Sequence, residues 1–266
     1  MGRSDQFSAL VLAGSRGPED PVAREAGVAC KAVVPVAGRP MVVRVVSALG
    51  ASDAVADVTI VGLPEACARD PAVRIGLAEA EADTVSGAES PSASVALALS
   101  TMAPDKRVLV TTADHALLRA EIVDTFLSAA AASNADVAIG LVRYDLVTAA
   151  CPGTRRTVTR FQDGGYCGTN LFAFLTERGR EAVGFWSDLE RHRKHPWRIM
   201  RSLGPMTLLR YVTGRLSLDH AMKRLSVLTG VRVEAVLLPF GEAAVDVDKP
   251  EDLILAESLA GRWTTH

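Results

Sequence analysis

The stretch LVLAGSRGPEDPVAREAGVACKAVVPVAGRPM, from Leu10 to Met41, decides how the rest of the chain is read. Its first residues continue an apolar run, Phe7 to Leu12, that reads as a buried strand ending at Gly14. Its last residues open PMVVRVVSALGAS, which has helical periodicity and a stop signal at Gly50. A strand-to-helix connection in an α/β unit normally takes about 2–6 residues. This one is several times longer and carries Arg16, Arg24 and Lys31. Long loops in compact domains are functional or disordered, and the remainder of the sequence has to choose between the two.

Outward from this stretch the pattern alternates. VADVTIVG reads as a strand, PSASVALALSTM as a helix with Ser92 or Ser94 near its start, and KRVLVTTAD as a strand running into Asp114. AEIVDTFLSAAAAS is an amphipathic helix and ADVAIGLV another strand. Strands alternating with helices imply a mostly parallel sheet covered on both faces, whose ligands bind beyond the carboxyl ends of the strands. Gly14 to Gly17 and Asp114 fall at such ends. After Val142 the pattern changes. TRRTVTRFQDGGYCGTNLFAFLT suggests short strands around a turn at Asp163-Gly164-Gly165, and residues 177–228 read as a helical insertion broken at Gly204-Pro205 and Gly214. VRVEAVLLPF is a strand. KPEDLILAESLAG is a closing helix with Pro250 in its first turn and Gly261 past its end. The expectation is a single α/β domain over 1–266: a Rossmann-like three-layer α/β/α arrangement, a mostly parallel mixed sheet and a helical insertion.

Composition narrows the function. Of 266 residues 48% are hydrophobic, enough for a sizeable core, and the net charge of −2 argues against bulk nucleic-acid binding. Cys30, Cys67, Cys151 and Cys167 are widely spaced with no C-x-x-C pair, which argues against zinc and for free thiols in a reducing, cytoplasmic setting. No secretory leader follows Met1 and no apolar run is long enough to span a bilayer.

Three groups of residues can carry chemistry. In the first, Gly14, Ser15, Arg16 and Gly17 offer backbone N–H groups and a guanidinium fork for phosphate oxygens, and Lys31 adds a point charge. The order matches neither a P-loop nor a dinucleotide-binding turn, and a plain junction with solvated charges is the competing explanation. The second is VLVTTADHALL, where Asp114 directly after a strand is placed to hold a hard cation, or simply to form a turn. The third is AAVDVDKPEDL. Asp246 and Asp248 alternate along an extended segment and so share a side, while Asp248 with Glu251 reaching back is also a helix-start pattern.

The order of these groups resembles that of the MobA-like nucleotidyltransferases, within the wider nucleoside-diphosphate-sugar pyrophosphorylase fold. LVLAGSRG…CKAVVPVAGRPMVVRVVSAL is similar to the family's opening signature, TTADHALL to its metal-binding aspartate segment, and DVDKPEDL to its C-terminal Asp-x-Asp-x-Pro-Glu-Asp-Leu segment. GAESPSASVALAL resembles the stretch that meets base and sugar. Ser15 stands where a second glycine is common, and the loop to Lys31 is longer than in compact members.

The resemblance implies transfer of an NMP unit from an NTP to a small phosphorylated acceptor, with pyrophosphate leaving. It implies catalytic Arg16, Lys31 and Asp114, with Arg24 as the alternative to Arg16 at the triphosphate. It also implies a nucleotide site of Leu12, Ala13, Gly14, Ser15, Arg16, Gly17, Lys31, Gly62, Ser92, Ser94 and Asp114. Mg²⁺ or Mn²⁺ would be held by Asp114 with Asp246 or Asp248. Arg155, Arg156, Thr169 and Asn170 are the acceptor candidates.

RHRKHPWRIMRSLGPMTLLRYVTGRLS interleaves basic with apolar and aromatic residues, as a packed subdomain edge, a lid or a membrane-surface helix does. The membrane reading, peripheral at the inner face, favours CTP and a lipid head-group precursor such as phosphoglycerate or a polyol phosphate. GTP-dependent guanylyl transfer to a molybdopterin or cobinamide-type acceptor, a GT-A-type glycosyltransferase and a non-catalytic nucleotide sensor are the competing functions. The sequence specifies no oligomeric state.

Overall fold

The computed structural model describes residues 6–15, 19–191 and 204–263. Strand β1 (Phe7–Leu12) lies inside the main sheet. A strand covered on both faces has to be apolar on both; Ser8, the polar member, donates its hydroxyl to Asp57 at 2.9 Å. After β1 the chain forms a short helix α1 (Pro21–Glu25), a single 3₁₀ turn at Lys31–Val33 and a two-strand ribbon, β2 (Pro35–Val36) and β3 (Arg39–Pro40). It then enters α2 (Met41–Gly50).

Strand β4 (Val55–Val61) returns parallel beside β1 and is followed by α3 (Glu65–Ala68) and α4 (Pro71–Glu79). Parallel β5 (Asp83–Val85), helix α5 (Pro91–Thr101) and parallel β6 (Val108–Thr112) come next. Leu12 is level with Val61 on one side and Thr112 on the other, so three strands end along one edge.

The second half adds α6 (Ala120–Ala132), β7 (Val137–Arg143), α7 (Tyr144–Ala150), β8 (Thr159–Phe161) and β9 (Gly164–Phe174). Strand β9 is one long strand rather than the short pieces expected. It is antiparallel to both β6 and β7, and β8 pairs with it. Helices α8 (Ala182–Arg191), α9 (Pro205–Val212) and α10 (Leu218–Thr229) follow, then β10 (Val233–Leu238), parallel to β7, and α11 (Pro250–Trp263). The result is the expected mixed, mostly parallel sheet, of eight strands among the described residues.

Alternation along the strands divides the core. Ala9 and Val11 pack with α2, α4 and α6, whereas Leu10 packs with α5 and the insertion residues Val183, Trp186 and Leu225. Two helical layers therefore sandwich the sheet. The insertion is part of one of them, and Trp186 stacks on Phe172 of β9 at 5.5 Å. The basic segment at 192–203 lies outside the described residues, as does the membrane contact expected of it. No described helix is long and apolar enough to cross a membrane.

Several local expectations are corrected. Ser90, not Ser92 or Ser94, caps α5, accepting from the Ala93 amide at 3.2 Å with Pro91 next in line. Asp252, not Glu251, reaches back at the start of α11, accepting from the amides of Asp248 and Lys249. Helix α11 runs through Gly261 to Trp263. Cys30 and Cys67 are not the free thiols expected: they are joined in a disulfide with Cα atoms 6.6 Å apart, because the loop before Lys31 passes over α3. Cys151 and Cys167 lie outside this disulfide and are buried.

Candidate active site

The long loop is anchored. Asp20 caps α1 by accepting from Val22 and Ala23, and the buried Val22 packs in a cluster with Ala256 and Leu259 of α11. The loop re-enters the sheet edge at Lys31 with its backbone fixed in the 3₁₀ turn. Lys31 Nζ donates to Asp114 at 2.6 Å and to Asp248 at 2.7 Å. Burial alone would depress this ammonium's pKa; the charge and hydrogen bond of Asp114, then of Asp248, outweigh it and hold the pKa above its ordinary value.

Asp114 is placed by two contacts. Arg44, a half-buried cation on α2, donates to the Ala116 carbonyl at 2.8 Å and steadies the turn after β6. The Asp114 carbonyl accepts from the Val247 amide at 3.1 Å, which draws the Asp246–Asp248 segment alongside. Val247 is fully buried, and the flanking carboxylates part company. Asp248 goes to Lys31. Asp246 receives Arg156 at 2.7 Å and Asn170 at 3.2 Å. Burial, then the like charges of Asp248 and Asp114, push the Asp246 pKa up, against the pull of Arg156.

Lys31, Asp114 and Asp248 line an open cleft of about 890 Å³. Leu12, Gly14 and Ser15 form its floor beyond β1, and Ser90, Ser92 and Ser94 form a wall at the start of α5. Gly62 lies behind the floor at φ +78°, where a Cβ would come 3.3 Å from Gly87 Cα and 3.6 Å from Gly14 Cα. Backbone contact this close at positive φ is a requirement for glycine. Ala13 is buried and its amide is bonded to the Val61 carbonyl at 2.9 Å.

The other expected residues are placed as follows. Arg16 and Gly17 lie outside the described residues, and Arg24 is exposed on the last turn of α1. Arg155 is exposed. Arg156 is 8% exposed and bonded to Asp246 and, at 2.8 Å, to Asp252. Thr169 is buried with its hydroxyl toward Gly140 of β7, where a Cβ would meet it. Asn170 takes a positive φ of 52° beside the register shift in the β7–β9 ladder, which turns its amide toward Asp246.

Glu190 is a member of the site that sequence reasoning missed. This residue of α8 enters the cleft wall and accepts from both the Ser92 amide, at 3.1 Å, and the Ser92 hydroxyl, at 2.5 Å. Ser92 is thereby spent on the protein itself, and Ser94 accepts from the Ala88 amide at 2.8 Å. No local signal marks Glu190, since its partner is 98 positions away.

A family model for the MobA-like NTP transferase domain matches residues 9–163. A hypothetical transferase from Thermus thermophilus is 32% identical, with 93% of this chain and 99% of that chain covered and a TM-score of 0.77. At the level of fold alone, the chain is similar to the 2-C-methyl-D-erythritol 4-phosphate cytidylyltransferase of the same species, at 20% identity, 96% and 99% coverage and TM-score 0.53. It is likewise similar to a CMP:2-keto-3-deoxy-manno-octonic acid synthetase complexed with CTP, at 14% identity, 97% and 98% coverage and TM-score 0.55. No curated protein matches the chain. With more than half of its length matched by the family model, the chain belongs to the MobA-like NTP transferase family and is a nucleotidyltransferase.

Proposed function

We propose that the protein transfers the nucleoside monophosphate unit of an NTP, CTP being favoured, to a small phosphorylated acceptor. The observation that carries this reading is the Lys31 ammonium held between Asp114 and Asp248 beside the Gly14–Ser15 turn. An acceptor phosphate oxygen attacks the α-phosphorus, the bond to the bridging oxygen breaks, and pyrophosphate leaves with the electron pair. The acceptor is already an anion, so no nucleophilic side chain is needed. Positioning and neutralisation do the rest. Lys31 supports the charge that grows on the α-phosphate, and the backbone at Gly14 and Ser15, which lines the cleft, is the candidate cradle for the leaving phosphates.

A divalent cation, Mg²⁺ or Mn²⁺, fits the residues present. Asp114 Oδ1 is buried without a hydrogen-bond partner, and the donors are hard carboxylate oxygens. Asp114 and Asp248 would hold the ion, which supplies further neutralisation of phosphate charge. Among the described residues no cluster of three or more His, Cys, Asp or Glu side chains encloses a metal. That suits Mg²⁺, which is commonly held by one or two carboxylates plus substrate phosphates. Asp246 is turned away to Arg156 and serves to position the segment.

CTP is favoured because the structural neighbours include a cytidylyltransferase and a synthetase complexed with CTP. Exposed Arg155 and the Asn170 amide mark the acceptor side, with a phosphoglycerate or polyol phosphate as the candidate. Peripheral membrane contact through the basic insertion completes the reading, whereas the Cys30–Cys67 disulfide stands against the free thiols on which a cytoplasmic setting rested.

The test is pyrophosphate release from CTP, GTP, ATP and UTP with Mg²⁺ and a panel of phosphorylated acids, polyols and sugars, with Asp114→Ala as the blank. Release with one pair, lost in the variant, supports the assignment. Release of nucleoside diphosphate from the NTP instead refutes it and marks γ-phosphoryl transfer, and release of nucleoside diphosphate from an added nucleotide sugar marks a glycosyltransferase.

A further inference from the structure

Lys31 acts at the end of a flexible four-carbon stem. Its two carboxylate partners hold the tip, but the reach of that tip is set by the backbone at residue 31. Downstream this backbone is well anchored. Ala32 and Val33 are buried in the core cluster shared with α2, and the Val34 amide closes the 3₁₀ turn on the Lys31 carbonyl at 3.1 Å. Upstream the chain arrives from the long loop, with Ala29 exposed and no side-chain hydrogen bond capping the turn at Cys30. On that side the anchor is covalent: Cys30, the residue before Lys31, is bonded to Cys67 of α3, 37 positions along the chain.

Helix α3 follows β4, whose last residue, Val61, is level with Leu12 at the floor of the cleft. The disulfide thus ties the Lys31 turn to the strand ends that form the floor. Cys30 and Cys67 are 0% and 1% exposed and belong to the same cluster as Ala32 and Val33. Neither cysteine is among the described residues that line the cleft, so their effect on a substrate has to pass through Lys31.

We infer that Cys30 and Cys67 are positioning residues for Lys31: their disulfide holds the ammonium in place for the reacting phosphate, and turnover falls when the bond is reduced to two thiols. The reduction is a thiol–disulfide exchange. A thiolate of a dithiol reductant attacks one sulfur and the S–S bond breaks. The reductant's second thiolate then attacks the mixed disulfide, and the reductant leaves as a cyclic disulfide. Cys30 and Cys67 take up the two electrons and two protons. The thiols still pack as small apolar side chains, whereas residue 31 loses its upstream anchor. Misplacing a catalytic group by about 1 Å costs about 10²-fold in rate. Lys31 works on charge that grows in the transition state, so the loss falls on kcat. The inference rests on the nucleotidyl-transfer reading of Lys31 and adds a redox dependence to it.

The experiment compares the full-length protein oxidised, reduced with dithiothreitol and reoxidised, with thiols counted by alkylation and mass spectrometry. Both sulfurs are buried, so Cys67→Ser supplies the bond-free state where reduction is slow. Amide hydrogen exchange at residues 28–34 is the readout that needs no substrate. Loss of the bond is expected to raise it at least about tenfold while β1 and β6 keep their protection, and reoxidation to restore it. With CTP, Mg²⁺ and the acceptor panel, kcat is expected to fall at least about tenfold and KM for CTP to change less than about twofold. Cys67→Ser should match the reduced protein and ignore dithiothreitol. Two new thiols with unchanged exchange at 28–34, or with unchanged kcat, overturn the inference and leave the disulfide as a staple that shows only in Tm. If exchange responds as expected but neither state releases pyrophosphate, nucleotidyl transfer is what fails, and the placement of residue 31 by the disulfide stands.

Discussion

Replacing Arg156 by alanine separates two roles for that residue: acceptor binding, as its sequence neighbourhood suggests, and support of the C-terminal acidic segment, as its contacts indicate. The guanidinium makes three bonds to the segment it faces, to Asp246 Oδ1 at 2.7 Å, the Asp246 carbonyl at 2.9 Å and Asp252 Oδ1 at 2.8 Å. It is 8% exposed, while its acidic partners are 30% and 14% exposed. Breaking a fully buried ion pair from one side costs about 3–5 kcal/mol, because the remaining charge is stranded. Here water reaches both carboxylates in part, which reduces the expected loss to about 2–3 kcal/mol.

Urea unfolding of Arg156→Ala measures this directly, with exposed Arg155→Ala as the control, expected within about 0.5 kcal/mol of wild type. Adding Asp246→Asn to Arg156→Ala removes one stranded charge and should recover at least about 1 kcal/mol, a coupling that a double-mutant cycle reads. In the single variant the Asp246 pKa also rises further, since burial and its acidic neighbours then act unopposed by the guanidinium. An Arg156→Ala protein as stable as wild type, with no coupling to Asp246 and a raised KM for the acceptor alone, would refute the reasoning and return Arg156 to the acceptor site.

Lys31→Met should lower pyrophosphate release by about 10² or more, mostly in kcat, as expected of a charge that acts on the developing transition state; steady-state kinetics against NTP checks it. Gly62→Ala places a methyl group 3.3 Å from Gly87 Cα at a φ of +78° and should cost about 1–2 kcal/mol in backbone strain, read as a lowered Tm. Gly50→Ala, in the last turn of α2 with no atom nearer than 3.8 Å, should be neutral or stabilising in the same thermal melt. At Asp136 burial pushes the pKa up, but the Arg232 amide and Thr176 hydroxyl, with nearby arginines, outweigh it and set the folded-state value below the ordinary aspartate range. Its stabilising contribution is therefore present above the ordinary value and lost as the pH falls through the lower folded one. Asp136→Asn should remove this part of the acid sensitivity of ΔG, read by urea unfolding between about pH 5 and about pH 3.

What the sequence determined by itself was the succession of elements and the edge on which the chemistry lies. Phe7 to Leu12 is apolar throughout, Met41 to Leu49 keeps a helical stripe, and Asp114 stands at a strand end; each is a local regularity that a short window contains. Partner choice is different, because it depends on strand order and on the crossovers that bring distant segments together. Lys31 meets Asp114 across 83 positions and Asp248 across 217, which the order of the motifs makes readable. Arg155 and Arg156 are equivalent by sequence, two adjacent arginines in one polar run. Only the packing of that run against the Asp246–Asp252 segment buries one of them and leaves the other in solvent. Ser92 reads as a nucleotide ligand by its position, yet α8 lays Glu190 across it. Helical periodicity says which side of α8 is buried, but not which helix it meets. The tertiary structure decided that, by packing the insertion against α5 on the face of the sheet where the cleft opens.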